Sequence, residues 1–194
     1  MPIFTKITKK SVPEPWKTLN SRYVLNDEWI SVRADTCEMP DGTQVHPYYV
    51  IEFPHWANVV ALTPAREIVL IRQYRHAYGK VILELPGGTL DEGEPPAKGV
   101  QRELLEETGF TASEFIETAR VSANPTNHSN LSVSFLALNA RKVSEQQLDA
   151  SEDIEVVVTP LEEVKQLMKR NQLPQAMHVT SLFYALQYLE QKGL

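Results

Sequence analysis

The chain has 194 residues, 42% of them hydrophobic and 23% charged, which suits one packed domain with a small appendage and argues against wholesale disorder. A formal net charge of -6 excludes the broad basic field that offsets nucleic-acid phosphates, and no run of about 18 apolar residues exists to span a membrane. The lone cysteine, Cys37, cannot form an internal disulfide, which fits a reducing, cytoplasmic setting, and the basic N-terminal residues have no apolar run behind them as a secretory signal would.

Taken in chain order, residues 22–26 and 29–38 are rich in β-formers, and Pro40-Asp41-Gly42 is a strong turn signal before a partner strand at 45–53. This predicts a small antiparallel β-appendage over residues 1–54, with Pro54 and His55 at the boundary of a main domain over 55–194. Apolar strands are expected at 58–63 and 67–75, separated by Pro64, and at 81–85, ending on the glycine turn Pro86-Gly87-Gly88. Residues 95–108 read as a helix, opened by two prolines and closed by Gly109, with Gly99 a weak point costing about 1 kcal/mol against alanine. Further strands follow at 117–122, 131–138 and 154–158, and helices at 161–169 and 175–191. The alternation predicts an α/β (α+β) class domain with a mixed sheet.

The helix after the glycine turn carries the chemistry. Glu103, Glu106 and Glu107 are spaced by three and four residues and therefore share one face, where like charges repel. A hard divalent cation relieves that repulsion, since Mg²⁺ prefers carboxylate oxygens. Arg102 and Lys98 offer a weaker relief, and a solvated acidic face is the plainer alternative for such a helix.

The segment as a whole resembles the Nudix box, G-x5-E-x7-R-E-U-x-E-E-x-G-U, with Gly88, Glu94, Arg102, Glu103, Leu104, Glu106, Glu107, Gly109 and Phe110 filling every specified position. The resemblance implies an α/β/α sandwich around a mixed sheet and a Mg²⁺-dependent hydrolase, with Mn²⁺ able to substitute. By position, Glu103, Glu106 and Glu107, with the carbonyl of Gly87, are the expected metal ligands. Arg102 is expected to orient a glutamate and Glu94 to hold the loop.

Gln73-Tyr74-Arg75, Leu83-Glu84-Leu85-Pro86-Gly87-Gly88, Pro125 and the N-terminal appendage are similar to the ADP-ribose and nucleoside diphosphate sugar pyrophosphatases within that family. This implies hydrolysis of a nucleotide sugar to a nucleoside monophosphate and a sugar phosphate. It also implies a homodimer that exchanges its appendages, with an aromatic side chain stacking on the base. Trp29 is the expected stacker, ahead of Tyr48 and His46, while Trp16 and Trp56 are assigned to packing. Arg72 and Arg75 are expected on one side of their strand, meeting phosphate oxygens, with Glu84 and Asn127 also on the substrate side. The loop at 122–130 departs from the family by containing no acid, so the general base is open among Glu152, His128, Asp153, Glu155 and activation by metal alone, with Glu106 in the catalytic set. Substrates such as NADH or dinucleoside polyphosphates, and a non-catalytic nucleotide-sugar sensor, are the alternatives.

Overall fold

The computed structural model describes residues 12–27 and 30–194. They fall into two compact units, one ending at Glu52 and the other running from Phe53 to Leu194.

The first unit is a three-stranded antiparallel sheet in the order β1 (Lys17–Asn26), β2 (Ser31–Glu38), β3 (Gln44–Glu52). Strand β1 begins five residues before the expected start at 22. Backbone pairing of Lys17 and Thr18 with Glu38 and Cys37 extends it where side-chain propensity is weak. The β2–β3 turn closes as expected at Gly42, whose N–H donates to the Met39 carbonyl at 2.9 Å. A single thin sheet buries little: among the unit's described residues only Ala34, Asp35 and Cys37 are buried, and all of β1 is exposed. Trp16 packs edge-on against Tyr48, with ring centroids 6.0 Å apart. His46 is tied to Thr36 through a 2.7 Å Oγ1–Nδ1 contact. Trp29 lies outside the described residues.

The second unit contains β4 (Trp56–Leu62), β5 (Glu67–Arg75), β6 (Lys80–Glu84), β7 (Gly87–Thr89), α1 (Pro96–Thr108), β8 (Phe110–Thr111), β9 (Glu114–Val121), β10 (Ser132–Leu138), β11 (Arg141–Lys142), β12 (Ile154–Pro160), α2 (Leu161–Lys169) and α3 (Ala176–Lys192). Its main sheet runs β12-β5-β4-β10-β9, with β6 paired to β5 and β7 to β4. The β4–β10 pair is parallel and the others are antiparallel, so the sheet is mixed.

Period-two alternation sorts the two faces. Ala57, Val59 and Ala61 of β4 and Val133, Phe135 and Ala137 of β10 pack against Val100 and Leu104 of α1. Val60, Leu62 and Leu136 point the other way, onto Leu161 and Val164 of α2 and Leu182, Ala185 and Leu189 of α3. Helices thus cover both faces, the α/β/α arrangement expected from the sequence. Strands β7, β8 and β11 were not expected. Each is two or three residues long, too short for hydrophobic periodicity to carry a signal.

Candidate active site

Helix α1 begins at Pro96 without a side-chain cap and ends at Gly109, whose N–H returns to the Leu105 carbonyl. The loop before it folds back on Gly99. A Cβ there would stand 2.3 Å from Leu90 Cδ2 and 2.9 Å from Glu94 Oε2, so the residue that weakens the helix is required for the close approach of the loop. Arg102 organises this surface. Its guanidinium donates to both oxygens of Glu94 (3.3 and 3.2 Å), to Glu103 Oε1 (2.9 Å) and to Glu106 Oε2 (3.0 Å). Glu94 also accepts the Asp91 N–H at 3.1 Å, which pins the loop. Arg102 draws the Glu94 carboxyl below its usual range, chiefly by hydrogen bonding.

Glu107 is turned inward and is 4% exposed. Its Oε2 accepts the Gly87 N–H at 2.7 Å, joining the helix to β7. Gly87 has φ of 148°, and a Cβ there would lie 2.2 Å from the Ala57 carbonyl oxygen, so only glycine lets β7 press this closely onto β4. Burial pushes the Glu107 carboxyl up to about 8, opposed by the Gly87 bond and reinforced by the neighbouring charges of Glu103 and Glu152. Glu103 is likewise raised, mainly by burial and against the pull of Arg102.

These groups line a cleft of about 770 Å³, together with Trp56, Asn58, Gln73, Arg75, Gly87, Gly88, Asp149, Glu152, Gln175 and His178. The loop after β11 is stitched to the end of α1. Gln146 Nε2 donates to the Glu107 carbonyl at 2.7 Å and the Gln147 N–H to the Glu106 carbonyl at 2.8 Å, which carries Asp149 and Glu152 to the cleft. Also at the cleft, Arg75 Nε donates to Glu84 Oε2 at 2.8 Å; Glu84 is 1% exposed, and its burial raises the carboxyl despite Arg75. His178 of α3 lies beside this pair, its Nδ1 3.9 Å from Glu84 Oε1.

Several expectations are corrected. Arg72 and Arg75 are three residues apart, an odd spacing that sends strand side chains to opposite faces. Arg75 shares the cleft side with Gln73, whereas Arg72 pairs with Glu155 of β12 at 2.5 Å and does not line the cleft. His128 packs edge-on against Phe53, with centroids 5.4 Å apart, and Asn127 Oδ1 accepts from Asn124 within its own loop at 2.7 Å; neither lines the cleft. Asp153 is also absent from its lining, and Glu84 reaches it only through Arg75 and His178. Trp56, assigned to packing, does pack on Phe53 but also lines the cleft. Asn58, Gln73, Asp149, Gln175 and His178 were not foreseen. Only Gln73 had a usable signal, its alternation with Arg75 on one strand.

The carboxylates fit a divalent cation by their chemistry. Asp91, Glu103, Glu106, Glu107, Asp149 and Glu152 line the cleft against Arg75 and Arg102, so it holds more acid than its arginines neutralise, and Glu103 and Glu107 are raised, mainly by burial. Among the described residues no group of three acids is already gathered around one point, because Arg102 holds Glu103 and Glu106 while Gly87 holds Glu107.

Comparison with known proteins adds to this geometry. Residues 54–179 match the model of the NUDIX domain, and residues 16–51 match that of the nucleoside diphosphate sugar hydrolase N-terminal domain. The chain is 29% identical over 184 residues to an ADP-ribose pyrophosphatase of Bacillus subtilis, covering 94% of this chain and 96% of that protein. It is 28% identical over 184 residues to a GDP-mannose pyrophosphatase of an Enterobacter species, covering 88% and 93%. A crystal structure of an ADP compounds hydrolase superposes with a TM-score of 0.83 at 23% identity, over 95% of this chain and 99% of that one, which supports the fold.

Proposed function

The chain belongs to the NUDIX family of hydrolases, and on that footing we propose that it hydrolyses the pyrophosphate bond of nucleoside diphosphate sugars, yielding a nucleoside monophosphate and a sugar phosphate. The observation that carries this reading is the cleft itself, which faces the three box glutamates with Arg75 and Glu152 in one cavity large enough for a nucleotide sugar. The match of residues 16–51 to a nucleoside diphosphate sugar hydrolase domain supports the substrate class. The similar proteins include enzymes named for ADP-ribose and for GDP-mannose, which supports a class of substrates and singles out no one nucleoside.

Nudix hydrolases use divalent metal ions, and Mg²⁺, replaceable by Mn²⁺, is the ion proposed. Glu103, Glu106, Glu107 and the backbone at Gly87 would hold it. When bound, it supplies the positive charge that offsets the pyrophosphate and makes water a better acid. The protein's own residues do the rest. Arg75, kept extended by Glu84, meets phosphate oxygens. Glu152 accepts the proton of the attacking water, and the bond between phosphorus and the bridging oxygen breaks. Glu152 is preferred to His128 and Asp153 because it alone of these lines the cleft.

The exposed apolar side chains of the first unit, Leu19, Tyr23, Val24, Leu25 and Tyr49, support a homodimer in which this unit is covered by a second copy. Trp29 is the proposed base-stacking residue. No helix of the described residues is long and apolar enough to cross a membrane. The buried free thiol of Cys37 supports a cytoplasmic setting.

The deciding experiment is a panel of ADP-ribose, GDP-mannose, UDP-glucose, NADH and diadenosine polyphosphates, assayed with Mg²⁺ and with excess chelator. Turnover of nucleotide sugars that chelator abolishes is the expected result. Turnover of NADH or dinucleoside polyphosphates alone refutes the substrate class.

A further inference from the structure

The imidazole of His178 is held in one tautomer by the fold. The backbone N–H of Leu85 donates to its Nδ1 at 3.2 Å. A backbone N–H is always a donor, so Nδ1 must present its lone pair and the ring proton sits on Nε2. The ring is 8% exposed, and what remains open lines the cleft. Among the described residues no acceptor is bonded to Nε2, yet Nε2 is not one of the buried polar atoms left without a partner, so it keeps access to the cleft.

The helix start beside the ring adds further donors, with Glu84 lying on the Nδ1 side. His178 stands in the first turn of α3, a 17-residue helix capped by Gln175 with no side-chain hydrogen bond. The first backbone bond of that turn is from Val179 N–H to the Gln175 carbonyl, so the amides before it have no partner inside the helix. Gln175, Met177 and His178 all line the cleft. The position of the helix is fixed by a buried polar chain. Ser181 Oγ donates to Asn58 Oδ1 at 2.5 Å and lies 2.6 Å from Ser134 Oγ, while Asn58 Nδ2 donates to Ser132 Oγ at 3.1 Å. Asn58 is the pairing partner of Gly87, whose amide holds Glu107, so the sheet residue that anchors α3 also abuts the acidic wall. The free backbone amides and Nε2–H offer donors alone, which fits an acceptor-only ligand group, as a phosphate oxygen is and a sugar hydroxyl is not.

We infer that the Nε2–H of His178, at the start of α3, is a binding donor for a pyrophosphate oxygen of the substrate, in the cleft that the box glutamates also line. The inference rests on the reading of the cleft as a nucleoside diphosphate sugar site. It assigns α3 a direct part in phosphate recognition, and the neutral ring fits that part, since burial holds it down to about 3.

Two substitutions divide the ring's two bonds. His178→Asn keeps an acceptor near the place of Nδ1 for the Leu85 N–H and removes the Nε2 donor. His178→Gln restores a donor near the place of Nε2. With ADP-ribose and saturating Mg²⁺, His178→Asn is expected to melt near the wild-type temperature and to lose at least about tenfold in kcat/KM, the worth of a hydrogen bond to a charged group. His178→Gln is expected to recover part of that loss. In the wild-type protein, ¹⁵N spectra should show the Nε2–H tautomer, and α,β-methylene ADP-ribose should shift His178 Nε2. A folded His178→Asn enzyme with wild-type kcat/KM, or an Nδ1–H tautomer, overturns the inference. If His178→Asn does not fold, the tautomer and its response to the methylene analogue decide the matter. A wild-type enzyme that turns over no nucleotide sugar would instead overturn the substrate reading, a different and separable result.

Discussion

The amide of Gly87 donates to Glu107 Oε2 at 2.7 Å, joining residues 20 apart in sequence and tying the glycine strand to the acidic helix. The bond keeps a 4% exposed carboxylate aimed at the cleft. Glutamine can accept the same N–H but brings no charge to a cation. Glu107→Gln is therefore expected to remain folded, with a melting temperature in chelator no lower than wild type, and to lose at least about 100-fold in kcat. Thermal melts and Mg²⁺ titrations of the rate check this, and near-normal turnover would remove Glu107 from the site.

Arg75 and Arg72 should separate cleanly. Arg75→Ala leaves Glu84 buried with its charge unpaired, so it is expected to cost about 1–3 kcal/mol of stability as well as to raise KM. Adding Glu84→Gln should recover much of the stability and none of the KM. Arg72→Ala breaks an exposed pair with Glu155 and is expected to change stability by no more than about 1 kcal/mol, with KM unmoved. Denaturant titrations and initial rates read both effects, and a raised KM in Arg72→Ala would contradict its placement.

Glu152 supplies the next test. As the proposed base, its replacement by glutamine should lower kcat by about 10²-fold or more and leave KM within a few-fold. His128→Ala, by contrast, should keep kcat within a few-fold of wild type, because His128 packs on Phe53 away from the cleft lining. Full-speed turnover by Glu152→Gln would leave the reaction without a protein base.

Stability should fall in acid partly through His178. Its folded value of about 3 lies below the ordinary 6.5, chiefly because of burial and then the charge of Arg75. The unfolded chain thus takes up a proton below about pH 6.5 that the folded protein refuses, and stability is lost as pH falls from there toward 3. Between pH 7 and pH 5 the wild type should lose about 2 kcal/mol more than His178→Asn, at up to about 1.4 kcal/mol per pH unit. Urea unfolding at the two pH values measures the difference, and equal losses in both proteins would show that His178 takes up its proton without unfolding.

The composition of the acidic helix, its proline start, its glycine end and the spacing of Glu103, Glu106 and Glu107 were all legible in the sequence, because helix geometry depends on neighbours three and four residues away. Strand β5 was legible to the residue for a similar reason, its apolar run being local. The tertiary structure alone decided what stands across from that helix. His178 meets Leu85 across 93 residues of sequence, and Ser181 meets Asn58 across 123. It alone assigned Glu152 to the cleft and His128 to a packing contact, although both lie in polar loops of similar appearance. It also separated Arg72 from Arg75, through the pleat of one strand and the partners that β12 and β6 bring to its two faces. Local periodicity specifies which side chains share a face of one element; which faces meet is settled by the burial of the whole core, a sum over contacts far apart in the chain.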